Sequence, residues 1–134
     1  MMYLSESAQQ IFCKVIEQLQ GEDYAKIDNS KGSFMPLTVE RLYKANVGCV
    51  YSFCHYGEQN GDLMKDPDVV FLHLNTGEVA PMEFQNDYAS AYDRVLEVRD
   101  GQLNVLDQRQ YNSLLSFANV WMNNINEQQC LGVE

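Results

Sequence analysis

Hydrophobic positions near the start of the chain recur with a helical period. Ala8, Ile11, Phe12, Val15, Ile16 and Leu19 fall at i, i+3 and i+4 spacing, which predicts an amphipathic helix over residues 5–20. Ser5 or Ser7 can cap its start, and Gly21 stands where a left-handed C-cap is wanted. The far end has the same signature. Asp107 followed by Gln110 approaches a capping box, and Tyr111, Leu114, Leu115, Ala118, Trp121, Met122 and Ile125 form the apolar stripe. Each helix is apolar on one side, so each needs a surface to cover.

Between the helices the pattern changes to that of strands. Residues 47–56 and 69–74 are rich in β-branched and aromatic side chains. In the second run both alternating sets are apolar, which predicts a central strand covered on both faces. Residues 79–84 are expected as its hairpin partner across Asn75-Thr76-Gly77. Residues 37–43 read as another strand opening after Pro36, and Asp100-Gly101 as the turn of a short hairpin. Residues 57–67 are expected as a long loop. No repeat, low-complexity tract or linker interrupts the order helix, strands, helix. The prediction is a single α+β domain over residues 1–134, with a central, mostly antiparallel sheet of about four to six strands under an N-terminal and a C-terminal amphipathic helix.

Composition narrows the function classes. Nine Lys plus Arg against 19 Asp plus Glu give a net charge of −10, and no basic cluster offsets it, so direct nucleic-acid binding is not expected. No apolar run approaches the ~18–20 residues of a membrane span. The first residues lack a basic stretch followed by an apolar core, and the four cysteines form neither a Cys-x-x-Cys pair nor a dense framework. A cytoplasmic protein with reduced thiols is the expectation.

The segment from His55 to Asp68 is the most distinctive in the chain. With Met35-Pro36-Leu37-Thr38-Val39-Glu40, Gln85-Asn86-Asp87, and Leu114-Leu115-Ser116-Phe117 with Trp121, it resembles a family of uncharacterised bacterial domains carried on phages, plasmids and conjugative elements. Some members of that family occur inside very large helicase–methyltransferase polypeptides. The resemblance covers most of residues 35–125. It implies a genomic setting and brings no activity, cofactor or catalytic residue.

Three constellations of residues bear on chemistry. Glu58, Asp62 and Asp66, with Asp68 beyond, suggest a calcium loop, but the spacing fails: Gly61 falls fourth from Glu58 and no terminal Glu follows. His55, Glu58 and His73 are possible metal ligands or acid–base groups. If strands 47–56 and 68–75 pair, His73 lies opposite about Ser52 and the imidazoles stand about 10 Å apart along the sheet, too far to share a zinc. Cys54 and His55 are neighbours on a strand and point to opposite faces, which argues against a cysteine nucleophile. No catalytic residue, metal or cofactor is therefore assigned.

Charge is the feature that remains. Ten acids stand against three bases between Glu58 and Asp100, −7 of the total −10. An ordinary solvated surface explains such a stretch. The sharper reading is a recognition face for a basic, nucleic-acid-handling protein, with Tyr56, Tyr88 and Tyr92 as interface aromatics. On it Glu58, Asp62, Asp66, Asp68 and Tyr56 are the expected binding residues of a non-catalytic, regulatory accessory protein of a mobile element. The alternative is a small-ligand or metal-dependent enzyme centred on His55, Glu58 and Asp62.

Overall fold

The computed structural model of the protein describes residues 1–134. The elements run α1 (Glu6–Glu17), β1 (Tyr24–Ile27), β2 (Leu37–Ala45), β3 (Gly48–Gln59), β4 (Asp62–Leu74), β5 (Val79–Asn86), β6 (Ala91–Arg94), β7 (Leu96–Arg99), β8 (Gln102–Val105) and α2 (Gln108–Gln128). Strands β1 to β6 form one six-stranded sheet in chain order, every pair antiparallel, and β7 and β8 form a separate hairpin. The fold is α+β, as the patterning predicts. No helix is long and apolar enough to cross a membrane.

Both helices lie on one face of the sheet, because alternate strand residues supply a continuous apolar surface there. Ala25, Val39, Phe53, Val69 and Phe84 stand in register across five strands, with Tyr51 and Phe71 in the adjoining row. Phe12 of α1 stacks on Phe53 at a centroid distance of 4.9 Å and meets Phe71 edge-on at 5.5 Å. Trp121 of α2 is buried, as its helical stripe predicts, and packs edge-on against His55 at 5.5 Å. Phe117 links it to Phe84 on β5.

Caps and one buried amide fix the helix ends. The Ser5 and Asp107 side chains accept from the backbone N–H of Ala8 and Gln110. The second half of the expected capping box does not form, since the Gln110 side chain reaches Asp93 instead. Helix α1 stops at Gln18, three residues before Gly21. The fully buried Gln129 accepts from Asn29 N–H and donates to the Met35 carbonyl, tying the segment before β2 to the end of α2.

The sheet differs from the expectation in three places. Strands β1 and β6 are only four residues each and carry too few apolar residues to stand out. Residues 57–67 are not a long loop. Strand β3 continues to Gln59 and β4 starts at Asp62, joined by Asn60 and Gly61 at φ 53° and 85°, the conformation of a two-residue hairpin turn. A bulge places Asp66 and Pro67 between the pairs Cys54–Asp68 and Tyr56–Lys65, a position where proline's missing N–H is tolerated. The tight turn also resets the register: His73 pairs with Cys49, not Ser52. Finally, β4 is central, but its second face is apolar and fully buried only toward the row Val50–Leu72–Ala80; beyond it come half-buried Val70 and the buried, polar Asp68.

Candidate functional site

The hairpin distributes the expected binding residues instead of gathering them on one projection. Glu58 and Asp62 are exposed beside the turn. Asp66 accepts from the Asn86 side-chain amide at 2.9 Å. Asp68 is buried, accepting from Ser52 Oγ at 2.6 Å and facing Lys65 Nζ at 3.2 Å. Strand alternation puts Tyr56, Glu58 and Asp68 on the face away from the helices. Asp62 falls on the other side of the hairpin, and Asp66 lies toward His55.

Much of the remaining acidic stretch is engaged locally. Asp87 accepts from Lys65 N–H at 2.8 Å and from Gln85 Nε2 at 2.9 Å. Glu97 stands 3.7 Å from Arg94 and 3.3 Å from Arg99. Glu83 accepts the Tyr92 hydroxyl. The local charge excess in the sequence therefore becomes turn-fixing and cross-strand bonds more than a single acidic projection.

The histidines do not converge with these acids. His55 and His73 both face the helices, and His55 Nδ1 lies 3.0 Å from the Pro36 carbonyl. Phe12 covers His73 at 5.4 Å. Burial lowers the pKa of both imidazoles, in His55 against the opposing pull of the Pro36 carbonyl and Asp66. Their strand partners are separated by about six residues, or ~20 Å along the sheet. No group of three His, Cys, Asp or Glu stands where it could hold a metal ion. Cys54 is a buried thiol pushed up to about 12, first by burial and then by Asp68, so it stays protonated and unreactive at neutral pH.

What the strands do assemble is an uncovered face. Two registered rows cross the sheet from β1 to β6: Tyr24–Glu40–Ser52–Val70–Glu83–Arg94 and Lys26–Thr38–Cys54–Asp68–Gln85–Tyr92. No helix packs on them, and Tyr24, Leu42, Tyr56, Leu63 and Tyr92 are exposed. Ser52 and Val70 are short, whereas Glu40, Tyr56, Glu83 and Tyr92 around them are long. The result is a cavity of about 400 Å³ with Asp68 and Lys65 in its lining. A second concavity of about 430 Å³, lined by Tyr24, Lys26, Thr38 and Leu63, shares Glu40 and Tyr56 with the first.

The charges of this face are mixed: Lys26 and Arg94 stand in its rows, and the carboxylate excess is confined to the 400 Å³ cavity, whose lining sets Glu40, Asp68 and Glu83 against Lys65. Burial opposes the charge on Lys65, but hydrogen bonding to Asp68 and its negative charge prevail and raise the pKa of the ammonium. The Tyr56 phenol is pushed up to about 12 by burial, then by Cys54 and Asp68, and stays neutral. Lys65 neutralises Asp68, while no cation stands within ion-pair distance of Glu40 or Glu83. Of these residues, Tyr24, Glu40 and Leu42 were not singled out from the sequence. The available signal was the exposed alternate set of β1 and β2, hidden because β1 itself was not recognised.

A further groove of about 360 Å³ lies between β5, β6 and α2, lined by Phe84, Val95, Leu114 and Phe117 with Asp93 and Arg109 at its rim. It contains no nucleophile paired with a base.

A family model described as a domain of unknown function, DUF6908, matches residues 7–131, and the chain belongs to that family. No curated protein and no solved structure matches it.

Proposed function

We propose that this member of the family is a non-catalytic interaction protein that docks a basic protein partner on the uncovered face of its sheet. The carrying observation is the composition of the cavity on that face and its surroundings: three exposed tyrosines interspersed with Glu40, Asp68 and Glu83, of which only Asp68 is ion-paired, Arg94 standing opposite Glu83 on β6 beyond ion-pair distance. Tyrosine gives contact area at low entropic cost, and unneutralised carboxylates favour a cationic partner. An open sheet with aromatic side chains also suits stacked nucleotide bases. Here the carboxylates and the net charge of −10 repel phosphate, so a protein partner is the better fit.

The setting we propose is the cytoplasm of a bacterium that carries a phage, plasmid or conjugative element, with the protein acting as a regulatory accessory. Its supports are the resemblance of residues 35–125 to such cargo and four free cysteines. A DNA- or RNA-handling protein is a natural source of the basic segment.

The test is binding of a fluorescent decapeptide containing several Lys and one central Arg, followed by anisotropy at two salt concentrations. Affinity should fall between 0.15 M and 1 M salt, where the Debye length shrinks from ~8 to ~3 Å. It should fall again in the Glu40→Lys/Glu83→Lys variant. No binding, or binding indifferent to salt and to both substitutions, would sink this reading.

A further inference from the structure

The uncovered face contains one place shaped for a single side chain, and it carries a more specific inference that rests on the docking reading above. We infer that the 400 Å³ cavity between β2 and β6 is a receptor for an arginine side chain of the partner. Ser52, Val70 and Asp68 line its floor, Tyr56 and Tyr92 stand beside it, and Glu40 and Glu83 flank Ser52 and Val70 in one registered row, with Arg94 beyond Glu83 outside the lining.

Charge sets the class of ligand. The cavity lining contains the carboxylates of Glu40, Asp68 and Glu83 and the single ammonium of Lys65. Lys65 is committed to Asp68 at 3.2 Å, and Ser52 Oγ satisfies the other carboxylate oxygen at 2.6 Å. The floor is thus already compensated. The rim is not: Glu83 accepts only the Tyr92 hydroxyl, and Glu40 has neither a side-chain hydrogen bond nor an ion pair. One incoming cation placed between Glu40 and Glu83 halves the excess of the lining from −2 to −1 and leaves the Lys65–Asp68 pair intact.

Shape selects the guanidinium. Glu40 and Glu83 come from strands three spacings apart, ~14 Å between their backbones, with the short side chains of Ser52 and Val70 between. A guanidinium presents five donors along its edges and can address carboxylates on two walls at once. Its flat faces also stack on tyrosine rings. An ammonium is a compact, strongly hydrated point charge and does neither as well. The phenols of Tyr56 and Tyr92 stay neutral, so they add ring faces without adding charge.

The test uses the decapeptide of the docking experiment, with its central arginine replaced by lysine or by uncharged citrulline and every other residue kept. The arginine peptide should bind about tenfold more tightly than the citrulline peptide, a difference of ~1.4 kcal/mol, with lysine between them. Backbone NMR shifts should concentrate at Ser52, Val70, Glu83 and Tyr92. Glu40→Gln with Glu83→Gln, and separately Tyr92→Ala, should erase the arginine preference. These residues lie on the uncovered face, so the variants should keep the wild-type fold and thermal midpoint.

Equal affinity for the arginine and citrulline peptides would overturn the arginine receptor while leaving docking of the basic segment standing. So would shifts on another surface, if salt still weakened the complex. Failure of all three peptides to bind would sink both readings. Tighter binding of a single-stranded oligonucleotide than of any peptide, lost in Tyr92→Ala, would overturn both in favour of base stacking.

Discussion

The two faces of the six-stranded sheet are written by the same strands, in alternate residues, and come to opposite ends. On the covered face, the β3 residues Tyr51, Phe53 and His55 lie beneath α1 and α2, and Phe53 is fully buried. On the open face, the same strand offers Ser52 and Tyr56 to a cavity and to solvent, with the buried Cys54 between them. The first set makes close aromatic contacts and is satisfied within the chain. The second carries exposed phenols and two carboxylates, Glu40 and Glu83, that are in no ion pair. Stability should therefore reside on one face and recognition on the other.

The largest test of that division is truncation of the aromatic centre. Phe53→Ala or Trp121→Ala should cost ~3–5 kcal/mol, the range for a buried large aromatic, in urea unfolding. Tyr24→Ala and Tyr92→Ala should stay within ~0.5 kcal/mol of the parent. If Tyr92→Ala cost as much as Phe53→Ala, the open face would be core and the comparison would fail.

Next in size is a pair of glycines on β3. A Cβ at Gly48 would fall 2.1 Å from the His73 carbonyl oxygen, which belongs to the neighbouring strand's backbone. Gly48→Ala must part β3 from β4 and should cost ~1–3 kcal/mol. A Cβ at Gly57 would meet the Tyr88 hydroxyl at 2.4 Å, but that ring is exposed and can swing away. Gly57→Ala should therefore be clearly milder, and equal losses in chemical denaturation would show that Tyr88 is more firmly anchored than its exposure implies.

A smaller effect separates the faces by pH. His55 and His73 both lie on the covered face, and burial lowers both pKa values. The unfolded chain, with imidazoles near the ordinary value of about 6.5, then binds more protons than the folded one. Their contribution is fully present above that value and is lost as pH falls through it toward the lowered values. Unfolding free energy should drop between pH 7.5 and pH 5.5, and His55→Gln should flatten the slope. An unchanged slope in that variant would place the proton uptake elsewhere. The lowered carboxyls of Asp87 and Glu78 act at more acidic pH, where ordinary carboxylates begin to protonate.

The covered face was legible in the sequence and the open one was not, for a physical reason. Burial is recorded in apolar periodicity, so Phe12, Trp121 and the strands they cover stand out. The open face consists of the other alternate set, which is constrained only by what it meets in solution. Tyr24 and Glu40 become neighbours through the pairing of a four-residue strand whose burial pattern is faint. Asn60-Gly61 reads as a turn from the sequence. The polar residues on either side of it read as loop because they hide the strand alternation that carries β3 to Gln59 and starts β4 at Asp62. Asp68 and Tyr56 were singled out for charge and aromaticity; the bulge at residues 66–67 brings Asp68 and Lys65 to one face beside Tyr56.

The smallest expected effect is that of metal, and it probes whether chemistry ever crosses the sheet. A centre built from His55, Glu58 and Asp62 would need an imidazole from beneath Trp121 together with exposed carboxylates at the hairpin's outer end. His55 Nδ1 also lies against the Pro36 carbonyl, and neither Glu58 nor Asp62 shares a site with it. Reaching a common ion would require lifting α2 or unpairing the hairpin, at the expense of the aromatic contacts that hold the covered face. Zinc or calcium should accordingly leave the thermal midpoint unchanged. A ligand at a hundred times its Kd adds ~2.7 kcal/mol to a folded state that binds it. A saturable stabilisation of that order, lost in both Glu58→Ala and Asp62→Ala, would mean that the two faces are not functionally separate. The division of labour between them would then have to be abandoned.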